Sequence, residues 1–120
     1  MTTINNINTI NTKEVFTNVK GYEGMYQISN LGRVKSLSRE KFNGRTTYLT
    51  KERMLSQSKN NKGYVTVTLC RENKLKTFTV HRLVAVAFLN HTPNGFKLVV
   101  DHRNNIKTDN KLENLQLVTA

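Results

Sequence analysis

The sequence predicts an α+β protein: a small antiparallel β-sheet unit, then a second unit with one apolar helix among strands. Three observations carry this. Short β-branched or aromatic runs in residues 13–40 are separated by Gly- and Asn-containing turns. The run Tyr64-Val-Thr-Val-Thr-Leu-Cys70 alternates like a half-buried strand, and Leu75-Lys-Thr-Phe-Thr-Val80 answers it across the turn Arg71–Lys74. From Val80 the period changes. Leu83, Val84, Val86, Ala87 and Phe88 give a helix over 80–90 that is buried on more than one face.

Taken in order, residues 1–12 are rich in Asn and Thr and are expected to form a flexible leader, with Ile4, Ile7 and Ile10 available as a loose stripe. Glu14–Val19 is the first expected strand, Met25–Ser29 the second and Arg33–Arg39 the third. Gly21-Tyr-Glu-Gly24 turns between the first two. Asn30-Leu-Gly32 connects the next two tightly, with Gly32 expected at positive φ. Residues 40–62 read as a long basic connection that ends in the turn Lys59-Asn-Asn-Lys-Gly63. Thr-Pro-Asn-Gly at 92–95 stops the helix. Lys97–Val100 is a short strand that delivers Asp101-His102 to its end. Arg103–Asn110 is a polar loop, expected to be flexible. Leu112, Leu115, Leu117 and Val118 return to the core, the last few as a strand.

A chain of 120 residues with 37% hydrophobic content supports one domain, or two small units sharing a thin core. The expected division is a leader at 1–12, a basic nucleic-acid-binding region at 13–62, and a second unit at 63–120. Cys70 is the only cysteine, which excludes an intrachain disulfide and any zinc site built from several cysteines. It reads as a packed thiol in a reducing, cytoplasmic setting. No apolar run is long enough to span a bilayer, and the N-terminus lacks the basic flank and apolar stretch of a signal peptide.

The net charge is +11, and it is unevenly placed. Between Arg33 and Lys62 nine Lys/Arg face only Glu40 and Glu52, so this stretch carries +7 of the total. Such a cluster favours a polyanion. The candidate nucleic-acid contacts are Arg33, Lys35, Arg39, Lys41, Arg45, Lys59 and Lys62, the first three on one side of the third strand.

Gly21-Tyr-Glu-Gly-Met-Tyr-Gln-Ile-Ser-Asn-Leu-Gly-Arg-Val-Lys-Ser-Leu37 resembles the fourth nuclease-associated modular motif of phage and intron homing endonucleases, a motif held to bind DNA. Val80-His-Arg-Leu-Val-Ala-Val-Ala-Phe88, Val100-Asp-His102 and Leu112-Glu-Asn-Leu-Gln-Leu-Val-Thr119 resemble the HNH domain that follows it. The resemblance implies a ββα-metal unit. It implies that His102 is the general base, that Asp101 is a metal ligand, and that Asn114 braces the loop. The residue types suit the chemistry: a histidine titrates near neutrality, and a carboxylate suits Mg²⁺ or Mn²⁺. The family carries a further ligand, Asn or His, on a helix after the Val-Thr strand. Here the sequence ends at Ala120, so the ββα-metal unit is expected to be incomplete.

Two functions follow. The first is a nucleic-acid-binding protein on a degenerate HNH scaffold, from a phage or mobile element. It would not cleave, would hold no resident cofactor, and would bind DNA or RNA or act on a host ribonucleoprotein, for instance as an inhibitor of a guided defence complex. The alternative is an active HNH nicking endonuclease using Mg²⁺ or Mn²⁺. Neither involves a membrane. His81 is expected to be a structural histidine and His91 a solvated one, with Asp109 a weak substitute ligand.

Overall fold

A computed structural model describes residues 13–91 and 98–119. The expected leader and the Thr-Pro-Asn-Gly break lie outside these residues. In the first unit β1 (Phe16–Asn18), β2 (Tyr26–Ser29) and β3 (Val34–Ser36) form an antiparallel meander. Each strand is shorter than the sequence suggests, because the flanking residues are taken up by turns. Val19, for example, accepts the Tyr22 N–H rather than extending β1.

Residues 40–62, expected to be a connection, hold four short strands. β4 (Glu40–Phe42) and β5 (Thr47–Leu49) pair only with each other, as a ribbon whose every residue is exposed. β6 (Arg53–Met54) joins β3 as the edge of the first sheet. β7 (Ser58–Lys59) pairs with β8 (Val65–Arg71), which pairs with β9 (Lys74–Thr79). The sheet β7-β8-β9 therefore runs across the expected 62/63 boundary. These strands escape sequence reading because two- and three-residue strands show no period, and backbone pairing alone defines them.

The β8–β9 turn uses Glu72 and Asn73 at φ 53° and 64°. That is the two-residue connection whose twist matches flanking strands. Along β8, Val65, Val67 and Leu69 point to the core, and Thr66, Thr68 and Cys70 do not. Helix α1 (Val80–Phe88) buries Val80, His81, Leu83, Val84 and Ala85, as its apolar make-up requires. A single apolar cluster joins Val19, Ile28 and Val34 of the first unit to Leu69, Val84 and Leu115 of the second. The Tyr26 hydroxyl adds a polar bridge between them, accepting the Cys70 N–H at 3.1 Å. β10 (Leu98–His102) and β11 (Leu115–Thr119) then form the hairpin that carries Asp101 and His102, with a 3₁₀ turn at Leu112–Asn114 leading into β11.

Candidate functional site

β10 ends on Asp101 and His102, opposite Gln116 and Leu115 of β11. Asp101 is half-buried. One carboxylate oxygen, Oδ2, accepts the Gln116 side-chain N–H at 2.9 Å. His102 is only 6% exposed. Its Nε2 lies 2.8 Å from Oδ1 of Asn110. An amide oxygen can only accept, so Nε2 is the donor in this contact. The ring is enclosed by Tyr64, stacked at 6.1 Å and 27°, and by His81 at 5.0 Å. Both acidic and basic groups border a cleft of about 260 Å³ formed by Tyr64, Val100, Asp101, His102, Asn105 and Lys107.

The loop after His102 was expected to be flexible, and the structure braces it. Buried Asn114 donates to the Asp109 carbonyl at 2.8 Å and to Asn104 Oδ1 at 3.0 Å, and accepts the Asn104 N–H at 3.2 Å. Arg103 N–H donates to the Asn114 carbonyl at 2.7 Å. Asn104 Nδ2 also donates to Asp109 Oδ2 at 2.9 Å. The amides are therefore fixed by one another, an arrangement that single letters in an Asn-rich loop do not reveal. Asp109 is thus occupied in holding the loop, with its Oδ1 buried and unpartnered.

The structure also revises two histidines. His91 is buried rather than solvated, at 6% exposure. His81, expected to be a satisfied structural histidine, is buried beside His102 with its Nδ1 unpartnered. Burial, then the neighbouring His102, then Arg82 push its pKa down to about 4, so it is neutral near pH 7.

Asp101 suits one ligand position of a hard divalent cation. Among the described residues no group of three or more His, Cys, Asp or Glu is placed to hold a metal.

The basic residues divide into two sets. Arg33 is tied to Glu14 by two N–H contacts, one of them 2.9 Å from Nε. Its hydrogen bonds hold the Glu14 carboxyl below the usual carboxylate range. Lys35 lies 3.7 Å from Glu52 and 4.1 Å from the Phe16 ring centre. Arg39 is turned inward. Its guanidinium donates to the Met25 and Leu37 carbonyls and to the Tyr26 hydroxyl. These three, expected as nucleic-acid contacts, serve the fold first. Lys41 and Arg45 stand on the exposed ribbon, and Lys59 and Lys62 are exposed beside the second unit. Lys107, which sequence reading passed over, places its amine 4.9 Å from the Tyr64 ring centre at the edge of the His102 cleft. Asn110 and Tyr64 were also missed, because their roles depend on contacts eight and thirty-eight positions away from His102 in sequence.

An Asp-His pair at the end of one strand of a two-stranded ribbon, with a buried asparagine bracing the loop, defines an HNH-type site. The NUMOD4 motif matches residues 14–70, and the HNH endonuclease family matches residues 78–120. The chain is 41% identical over 101 residues to the DNA endonuclease I-HmuI of Bacillus phage SP01, covering 84% of this chain and 50% of that protein. It is 37% identical over 103 residues to the uncharacterized HNH endonuclease L247 of Acanthamoeba polyphaga mimivirus, covering 85% of this chain and 22% of that one. The solved structure of the HNH homing endonuclease I-HmuI superposes with a TM-score of 0.65 at 37% identity, over 88% of this chain and 52% of that one. The chain belongs to the HNH homing endonucleases that carry a NUMOD4 motif. It spans about half the length, or less, of these curated relatives.

Proposed function

We propose that this chain carries the DNA-binding and base-supplying part of a DNA-nicking endonuclease that acts in the cytoplasm. The observation that carries the reading is the 2.8 Å contact between His102 Nε2 and Asn110 Oδ1, on a residue adjoining Asp101. It leaves Nδ1 as the basic nitrogen of a ring that cannot swing away.

In this mechanism His102 Nδ1 takes a proton from the attacking water. Asn110 holds the opposite N–H and keeps the ring in one orientation while it becomes positive. Asn114 holds the loop that supplies Asn110. Lys107 and Lys62 lie beside the cleft and draw in the phosphate backbone. A divalent cation at Asp101 would stabilise the negative charge that develops on the phosphate. The exposed ribbon with Lys41 and Arg45 grips the duplex away from the cleft.

The test is conversion of supercoiled plasmid to the open circle with Mg²⁺ or Mn²⁺, for the wild type and His102→Ala. The reading expects nicking by the first and none by the second. A second reading is favoured by the described residues placing no group of three or more His, Cys, Asp or Glu to hold a metal: a DNA-binding protein that does not cleave, of which an inhibitor of a guided defence complex is one form. Binding to the plasmid without nicking at any metal concentration favours that reading instead.

A further inference from the structure

We propose that Asn110 is a positioning residue for His102, and that the Ser29–Gly32 turn of the first sheet sets Asn110 in place. The NUMOD4 unit is then part of the base site as well as a grip on nucleic acid. The catalytic meaning of this rests on the nuclease reading above, but the contact itself does not.

The turn presses directly on Asn110. Gly32 has φ +87°, and a Cβ added there would lie 3.1 Å from Asn110 Cβ and 3.2 Å from its carbonyl oxygen. A side chain there would force Asn110 to shift by a few tenths of an ångström. The turn is itself rigid. The Gly32 N–H donates to the Ser29 carbonyl at 3.0 Å, and buried Ser29 Oγ accepts the Leu31 and Arg33 N–H groups, each at 3.1 Å. It is held on the far side by Gln57, whose Nε2 donates to the Gly32 carbonyl at 2.8 Å. It is held on the near side by Leu112, whose N–H donates to the Asn30 carbonyl at 2.7 Å. Asn110 is thus fixed from two directions: Gly32 across the unit boundary, and Asn114 through the carbonyl of the preceding Asp109. Its remaining freedom is the side-chain amide, and that meets His102. Packed interiors transmit small displacements instead of absorbing them, so a shift of the turn reaches the imidazole.

The tautomer of His102 reads this coupling without any catalysis. ¹⁵N ring signals are recorded across a pH series, and the tautomer is read on its alkaline plateau. The wild type is expected to show one protonated nitrogen, Nε2, and one bare nitrogen, Nδ1. Asn110→Ala is expected to give the averaged signals of mixed tautomers. Asn110→Asp, which keeps an accepting oxygen, is expected to restore the single tautomer. Gly32→Ala is expected to shift His102 in the same sense as Asn110→Ala. Gly21→Ala is the control: it also has φ +87° but nothing within 4 Å, so it carries the same backbone strain without the contact and should leave His102 unshifted. If Gly32→Ala does not fold, Gln57→Ala reads the same coupling by freeing the Gly32 carbonyl. A single tautomer retained in Asn110→Ala overturns the proposal. So does a His102 signal that Gly32→Ala, or Gln57→Ala in its place, leaves as it is in Gly21→Ala. A protein that shows these shifts but never nicks DNA refutes the nuclease reading alone. One that nicks DNA with an unmoved His102 ring refutes the coupling alone.

Discussion

The β4–β5 ribbon and the His102 loop, the two regions proposed to meet nucleic acid, are built in opposite ways. On the ribbon every residue is exposed, including Phe42 at 68% and Leu49 at 70%, and its strands pair only with each other. At the loop, His102, Asn110 and Asn114 are each less than a tenth exposed, and their amide groups bond to one another and to the backbone. The difference follows from the range of the forces involved. Attraction of cations to a phosphate backbone acts over about 10 Å at moderate salt and tolerates motion. Proton transfer does not: a displacement of about 1 Å can cost roughly a hundredfold in rate. Buried polar contacts are therefore concentrated at the histidine, and the ribbon is left free.

The sharpest test of this contrast is removal of the base. His102→Ala is expected to lower nicking by roughly 10² to 10⁴-fold while leaving DNA affinity within a factor of about two. Gel shifts beside plasmid nicking measure both. A parallel loss of affinity would mean that the loop, not the ribbon, carries the binding.

Acid is expected to attack the loop side and spare the ribbon. The folded pKa of His81, about 4, lies below its ordinary 6.5. As pH falls the unfolded chain takes up the proton first. The stabilisation is complete above about pH 6.5 and is lost as pH drops toward 4, a change on the order of 3 kcal/mol. Thermal melts across that window should show it. His81→Leu should flatten the dependence at little cost, because Nδ1 is buried with no partner to lose. A Tm that falls equally in His81→Leu assigns the acid sensitivity to another group.

Two glycines compare the regions directly. Gly32 and Gly44 have similar positive φ, 87° and 93°, but only Gly32 has neighbours within 4 Å of an added Cβ. A β-branched residue strains either backbone by about 1–3 kcal/mol. Gly32→Val must also displace Asn110, which adds about 1–3 kcal/mol. In urea titrations Gly32→Val is expected to be the more destabilising by about 2 kcal/mol. Equal costs would show that the Asn110 contact yields freely.

The smallest expected effect lies in the basic set. Lys41→Ala with Arg45→Ala should flatten the log–log salt slope of duplex binding by about 1.8, for two phosphates. Arg33→Ala with Lys35→Ala should flatten it less, since Glu14 and Glu52 already engage those cations. Arg39→Ala should register in stability, because its guanidinium serves two carbonyls and a hydroxyl. A larger slope change from Arg33 and Lys35 would return the binding surface to the first sheet.

What the sequence made legible follows the length of each signal. The β8–β9 hairpin and α1 are long enough for their periods to show, and Gly32 announced its positive φ by lying between two strands. Asp101, His102 and Asn114 were singled out through the family motif, and the fold sets the first two at the end of β10 and the third under the loop that follows. The ribbon was not, because Glu40–Phe42 and Thr47–Leu49 bury nothing and so carry no alternation. Asn110 was not, because one asparagine in an Asn-rich loop looks like its neighbours until the fold sets it against His102. The internal hydrogen bonds of Arg39 were hidden for a related reason: charge composition counts a guanidinium but does not say which way it faces.

The contact between Gly32 and Asn110 also bears on how such chains recombine. A graft that joins a foreign NUMOD4 unit at residues 62/63 would cut between β7 and β8, whose backbone pairing at Ser58–Thr66 and Lys59–Val65 makes little demand on side-chain identity. The same graft would pair a new turn with an old Asn110, where even a methyl group would have to push Asn110 aside. Glycine at 32 and asparagine at 110 must therefore travel together, though they lie in different units and far apart in the gene. Compatible donors for a chimera are the ones that keep this pair, whatever their identity elsewhere.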